Sequence, residues 1–178
     1  MRCRSLILAC LAIGALDTGG AGAAVTERVD VRPACSAPEY RLFDFWIGEW
    51  EVRSDGVAIA RSRIEAGRDG CTIDEHYIQS DGYRGGSVSF YDAFLRKWRQ
   101  TWVDATGSVG EFSGAFSAGA MRFEGETHTG SGRRVLRRMT LTPESTDRVR
   151  QYSEASTDGR TWRPHYDFLY IRTTDTAH

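Results

Sequence analysis

From Trp50 onward, apolar and polar residues alternate in short runs, and each run ends at a cluster of glycine, aspartate or serine. Successive side chains of a strand point to opposite faces, so this alternation predicts strands with one buried and one wetted face. The pattern places ten of them, near Trp50–Ser54, Ala58–Glu65, Cys71–Gln79, Gly85–Tyr91, Trp98–Asp104, Gly110–Phe116, Met121–Thr127, Arg133–Leu141, Arg148–Ser156 and Thr161–Arg172. The breakers between them are Asp55-Gly56, Gly67-Arg68-Asp69-Gly70, Ser80-Asp81-Gly82, Thr106-Gly107, Gly119, Gly130-Ser131-Gly132, Thr142-Pro143-Glu144 and Asp158-Gly159, all of hairpin length. No stretch carries a helical period long enough to cover a sheet. The strands must hide their own edges, so the expected fold class is all-β, an antiparallel up-and-down barrel of about ten strands in one domain. A two-sheet sandwich is the alternative.

The first residues differ in texture. Arg2 and Arg4 precede the apolar run Leu6-Ile7-Leu8-Ala9-Cys10-Leu11-Ala12-Ile13, and small residues follow at Gly19, Gly20 and Ala21-Gly22-Ala23-Ala24. The run is too short to span a bilayer, and the order of basic, apolar and small residues is that of a cleavable secretory signal. The expected organisation is a signal peptide at 1–23, with the cut after Ala23 or Ala24, an extended N-terminal arm at 24–37, and the barrel at 38–173. Ile7-Leu8-Ala9-Cys10 also reads as a lipid-attachment box, although few apolar residues precede Cys10. The expected location is exported, periplasmic or secreted, with no later membrane span.

Export changes the meaning of the cysteines. Cys3 and Cys10 leave with the signal, so Cys35 and Cys71 remain, and two thiols in an oxidising compartment should pair. Charge adds an exclusion. The chain carries 23 basic and 24 acidic residues; without Arg2, Arg4 and Asp17 these become 21 and 23, a net charge of −2. That balance argues against nucleic acid or an anionic membrane as the main partner.

Three stretches could carry chemistry. Phe43-Asp44-Phe45-Trp46-Ile47-Gly48-Glu49-Trp50-Glu51-Val52 reads as the aromatic floor of a barrel. Trp98, Gln100, Trp102 and Asp104 share one strand face, which either lines a pocket for a flat organic ligand or packs as core. Glu75 shares a face with Ile73 and Tyr77 and is expensive to bury unpaired; Arg137, between Val135 and Met139, is its expected partner. Such a pair is either structural or the anchor, or acid/base group, of a site. Parity likewise aims Ser89, Tyr91, Gln151 and Tyr170 inward. The ligand-binding candidates are therefore Glu75, Tyr91, Gln100, Trp102, Arg137, Gln151 and Tyr170.

Gly48-Glu49-Trp50, at the start of the first strand, and Tyr170-Ile171-Arg172, at the end of the last, resemble the calycins, the superfamily of lipocalins and fatty-acid-binding proteins. There, an arginine of the final strand packs over the tryptophan of the first, which implies a structural role for Trp50 and Arg172. More closely, the chain resembles a family of exported bacterial calycin-like domains of unknown function. The matching stretches are Phe43-Asp44-Phe45-Trp46-Ile47-Gly48-Glu49-Trp50, Tyr91-Asp92, Trp98-Arg99-Gln100-Thr101-Trp102-Val103-Asp104, Val149-Arg150-Gln151 and Ser156-Thr157-Asp158-Gly159. The resemblance implies a fold and a compartment and carries no reaction with it. Some calycin barrels ligate haem through one strand histidine, and His165, just after Trp162, is where such a ligand would stand.

The remaining signals are bland. Ser156-Thr157-Asp158-Gly159-Arg160-Thr161-Trp162 resembles the Asp-box hairpin of sialidases with one residue missing, a turn device to which no glycosidase chemistry is assigned. His76, His128, His165 and His178 show no metal-ligand spacing, and no nucleophile elbow or phosphate loop is present. No cofactor and no metal is expected. The functional expectation is a barrel that binds a small, partly apolar molecule. Its alternatives are a cofactor-free isomerase, cyclase or lyase using Glu75 and Arg137, and a filled barrel serving as a structural or interaction module.

Overall fold

A computed structural model describes residues 35–173. The signal peptide expected at 1–23, and all of the 24–37 arm except residues 35–37, lie outside the described residues. Ten strands follow in order: β1 (Gly48–Ser54), β2 (Val57–Gly67), β3 (Thr72–Gln79), β4 (Arg84–Asp92), β5 (Lys97–Asp104), β6 (Val109–Ser117), β7 (Ala120–His128), β8 (Arg134–Ser145), β9 (Arg148–Ser156) and β10 (Arg163–Arg172). Each pairs antiparallel with its sequence neighbour, and β1 pairs with β10, so the meander closes into a barrel with no free edge. The sandwich alternative is thereby set aside. No helix among the described residues is long and apolar enough to cross a membrane.

Several boundaries differ from the sequence pattern, and at two of them, the end of β8 and the start of β10, the local reason is visible. Thr142-Pro143-Glu144 does not end β8. The register shifts between Pro143 and Ser145, and at such a bulge a proline without an N–H costs no ladder bond. At β10, Thr161 and Trp162 stay in the loop, because Asp158 Oδ1 accepts the backbone N–H groups of Arg160 and Thr161, both at 2.8 Å. Ser156 Oγ donates to the same carboxylate oxygen at 2.9 Å, and these donors hold Asp158 far below the usual carboxylate range.

One end of the barrel is plugged. Two short 3-10 turns, Pro38–Arg41 and Asp44–Trp46, precede β1. They carry Phe43 and Trp46 into the interior, where both are fully buried. Phe43 stacks on Trp46 at 5.0 Å between ring centres and meets Trp98 and Phe123 edge-on at 5.5 and 5.8 Å. Trp50 Nε1 donates to the Trp46 carbonyl at 2.9 Å, which satisfies the one polar atom of a buried indole. Cys35 and Cys71 form a disulfide, with Cα atoms 5.0 Å apart, that ties the segment before the plug to the residue before β3. Met121, Leu141, Val52 and Val149 complete this apolar half of the barrel.

Candidate functional site

Beyond the plug the interior stops being apolar. Along β3 the inward positions are Ile73, Glu75 and Tyr77; along β5, Trp98, Gln100 and Trp102; along β8, Leu141, Met139 and Arg137. On each strand the residue nearest the plug is apolar and a polar group follows one or two layers above it. A cavity of about 490 Å³ opens over these polar layers, toward the end of the barrel formed by the β3–β4, β5–β6, β7–β8 and β9–β10 connections. The filled-barrel alternative therefore describes only the plugged half.

Glu75 lies in the floor of this cavity and is 5% exposed. Ser62 Oγ on β2 donates to its Oε1 at 2.9 Å, and Ser87 Oγ on β4 donates to its Oε2 at 3.0 Å. Tyr170 Oη on β10 lies 3.3 Å from Oε1, but a phenol has a single proton, and Gln151 Oε1 on β9 accepts it at the shorter distance of 2.9 Å. The Tyr170 contact is thus best satisfied when Glu75 itself carries a proton and donates it to the phenol oxygen. Electrostatics points the same way. Burial raises the Glu75 carboxyl to about 7, and donation from the Ser62 and Ser87 hydroxyls only partly offsets that rise.

The network continues around the wall. Gln151 Nε2 lies 2.8 Å from Met139 Sδ and 3.4 Å from Tyr166 Oη, and the Tyr166 ring stacks on Phe168 at 4.5 Å. On the other side Gln100 Nε2 donates to Ser89 Oγ at 3.0 Å, and Trp102 meets Tyr77 edge-on at 5.9 Å. Trp102 is seated by a glycine. A Cβ at Gly85, which pairs with Asp104 and Tyr77 on the neighbouring strands, would stand 2.3 Å from the indole ring. Nearer the mouth, Tyr83 Oη donates to Asp104 Oδ2 at 2.8 Å; burial and that contact push the Tyr83 phenol up to about 12. Burial also pushes Asp104 upward, but donors from Thr106, Tyr83 and Ser108 outweigh it and hold its carboxyl below the usual value. Asp104 is accordingly a loop-holding carboxylate.

Six of the seven sequence candidates, Glu75, Gln100, Trp102, Arg137, Gln151 and Tyr170, line this one cavity. Tyr91 does not. Its parity is inward, but β4 runs away from the mouth, so Tyr91 ends beside the plug, against Tyr40 at 5.3 Å and Trp98 at 6.2 Å. The expected Glu75–Arg137 pair is also absent. The strand order places β3 and β8 five strands apart in either direction around the barrel, so the two side chains stand on opposite walls. Glu75 is served by hydroxyls instead. His165 sits where the β10 register shifts between Pro164 and Tyr166, and this extra residue places its side chain at the mouth, where partial desolvation, then the Arg137 charge, lowers its pKa. Among the described residues no group of three or more His, Cys, Asp or Glu is placed to hold a metal ion.

The sequence reading missed Tyr166 and Phe168, although stepping back by twos from Tyr170 reaches both. It also missed Tyr83, Ser108, Thr127, His128 and Thr129, which belong to strand ends and connections where parity gives no guidance. A second groove, of about 430 Å³, lies on the outer face of β5 to β8, where the long charged residues are paired with one another, as Arg134 with Glu126 and Arg138 with Glu124. Arg138 also lies over Trp162, 3.9 Å from the ring centre, which fixes the end of the Ser156–Trp162 loop on the barrel wall. Compared with protein-family models the chain matches none, and a search of curated proteins likewise gave no match.

Proposed function

We propose that this protein is an exported calycin-like barrel that binds one small, partly apolar molecule in the open half of its interior. The observation that carries the reading is the composition of the cavity wall. Tyr77, Trp102, Tyr166 and Phe168 supply flat apolar surface, and Glu75, Gln100, Gln151, Tyr170 and Arg137 supply a few fixed polar groups among them. Polar side chains aimed into a barrel are costly in a dry core and are ordinary around a ligand. The disulfide supports an oxidising compartment, consistent with the N-terminal signal pattern.

A second reading has one observation in its favour. Glu75, with a carboxyl raised to about 7 at a cavity floor, is poised to give or take a proton near neutrality, as a cofactor-free isomerase, cyclase or lyase requires. Arg137, on the opposite wall, would then stabilise negative charge developing on the substrate.

Fluorescence separates the cavity from the rest of the molecule, because Trp102 alone among the five tryptophans lines it. An aromatic or fatty ligand is expected to quench the emission of the wild type and to bind Trp102→Ala more weakly, while Trp162→Ala, altered only in the outer loop, binds as the wild type does. Equal loss in both variants, or none in either, would contradict binding in the cavity.

A further inference from the structure

The three arginines of β8 fall into two situations. Arg134 and Arg138 point outward and pair with Glu126 and Glu124 of β7. Arg137 points inward into the cavity, and no carboxylate of the described residues lies within ion-pair distance of it. Its Nε is buried without an acceptor. Its cross-strand neighbours are Gly125 on β7 and Ala155 on β9, neither of which carries a polar side chain. The Tyr166 ring lies 5.8 Å from the guanidinium carbon, and the Tyr166 hydroxyl, a neutral group, is the polar side chain that reaches Arg137.

A cation without a counter-ion in a partly desolvated site is a standing cost, and a guanidinium offers a planar fork matched to a carboxylate. The other charges around the cavity do not supply the missing partner. Asp104 is saturated by Thr106, Ser108 and Tyr83, and Glu75 is engaged by Ser62, Ser87 and Tyr170 on the far wall. His165, beside Arg137, adds no negative charge. We propose that the ligand is an organic carboxylate on an aromatic or other apolar body, its acid group held by Arg137 and its body lying against Trp102, Tyr166 and Phe168. This rests on the cavity-binding reading above and narrows it to one chemical class.

The test compares two probes of one shape, 2-naphthoate and 2-naphthamide, on the wild type, Arg137→Met and Arg137→Lys. The acid is expected to bind the wild type on the order of tenfold more tightly than the amide, as one charge-assisted bidentate contact allows. Arg137→Met removes that preference, bringing acid binding down to the level of the amide, whereas Arg137→Lys keeps part of it as a point charge without the fork. The melting temperature of the ligand-free Arg137→Met protein should equal or exceed that of the wild type, because a partly buried charge without a counter-ion has been removed. Amide and acid binding equally well, with Arg137→Met altering neither, would overturn the carboxylate assignment and leave the cavity reading standing. Failure of both probes to bind would overturn both. A melting temperature lowered by Arg137→Met with the acid preference intact would make the arginine structural and overturn the proposal.

Discussion

Arg172 and Trp50 are cross-strand partners on β10 and β1, and the guanidinium carbon of one lies 4.2 Å from the ring centre of the other. The arginine is held there by the carbonyls of Ile47 and Thr146, at 3.1 and 3.0 Å, and by Asp147 at 3.3 Å. It thereby joins the first strand, the last strand and the β8–β9 connection at the plugged end. Gly48 makes this possible. Its φ is +149°, and a Cβ there would fall 2.0 Å from Arg172 Nη1. Trp50→Ala is expected to destabilise by about 3–5 kcal/mol as a large core truncation. Gly48→Ala should cost about 1–3 kcal/mol through backbone strain and displacement of Arg172. Denaturant titration checks both, and in the Gly48→Ala, Arg172→Met double variant the two losses should sum to more than the measured total, because they share one contact.

Glu75 should give folding a distinctive pH dependence. In the unfolded chain a glutamate ionises near 4.5, whereas in the folded barrel Glu75 does so at about 7. Its contribution is therefore fully present below pH 4.5 and is lost as the pH rises to about 7, by about 3 kcal/mol in all. Glu75→Gln keeps the shape and cannot ionise. The difference in unfolding free energy between wild type and Glu75→Gln, followed from pH 4 to pH 8, should move steadily in favour of the variant through that window and then level. A difference constant with pH would contradict the placement of Glu75 as a desolvated acid.

Reducing the disulfide should cost stability without dismantling the barrel. Cys35 and Cys71 are 36 residues apart, and releasing a loop of that length is worth about 3–4 kcal/mol of unfolded-chain entropy. Every strand-to-strand pairing is independent of the bridge, so Cys35→Ala with Cys71→Ala should keep its β-sheet circular dichroism and unfold at lower denaturant. Loss of that signal at room temperature would show that the bridge is needed for closure itself.

Much of this architecture was legible before any coordinates because a closed meander uses little beyond parity and turns. The inward direction of Glu75, Gln100, Trp102, Arg137, Gln151 and Tyr170 follows from period two alone. Depth along a strand and distance around the barrel do not. Tyr91 has inward parity and lies beside the plug, and Arg137 stands five strands from Glu75; both follow only when the ten strands are laid in order around the closed barrel, a step that parity within one strand does not supply. Pro143 was misleading for a related reason, since a bulge can absorb a residue that a regular ladder cannot. The Ser156–Trp162 loop was readable as a turn, while its hold on Thr161, which delays β10, depends on where the Asp158 carboxylate points.

The central claim is that the open half of the barrel is occupied by a small molecule, and native mass spectrometry of the protein purified from its own cells tests it most directly. Ala155, the β9 neighbour of Arg137, lines the cavity, so Ala155→Phe places a ring in the space the ligand would take. We predict an added small-molecule mass on the wild type that is missing from Ala155→Phe, with both proteins folded by circular dichroism. A bare polypeptide mass in the wild type, or the same added mass on both proteins, would contradict the account.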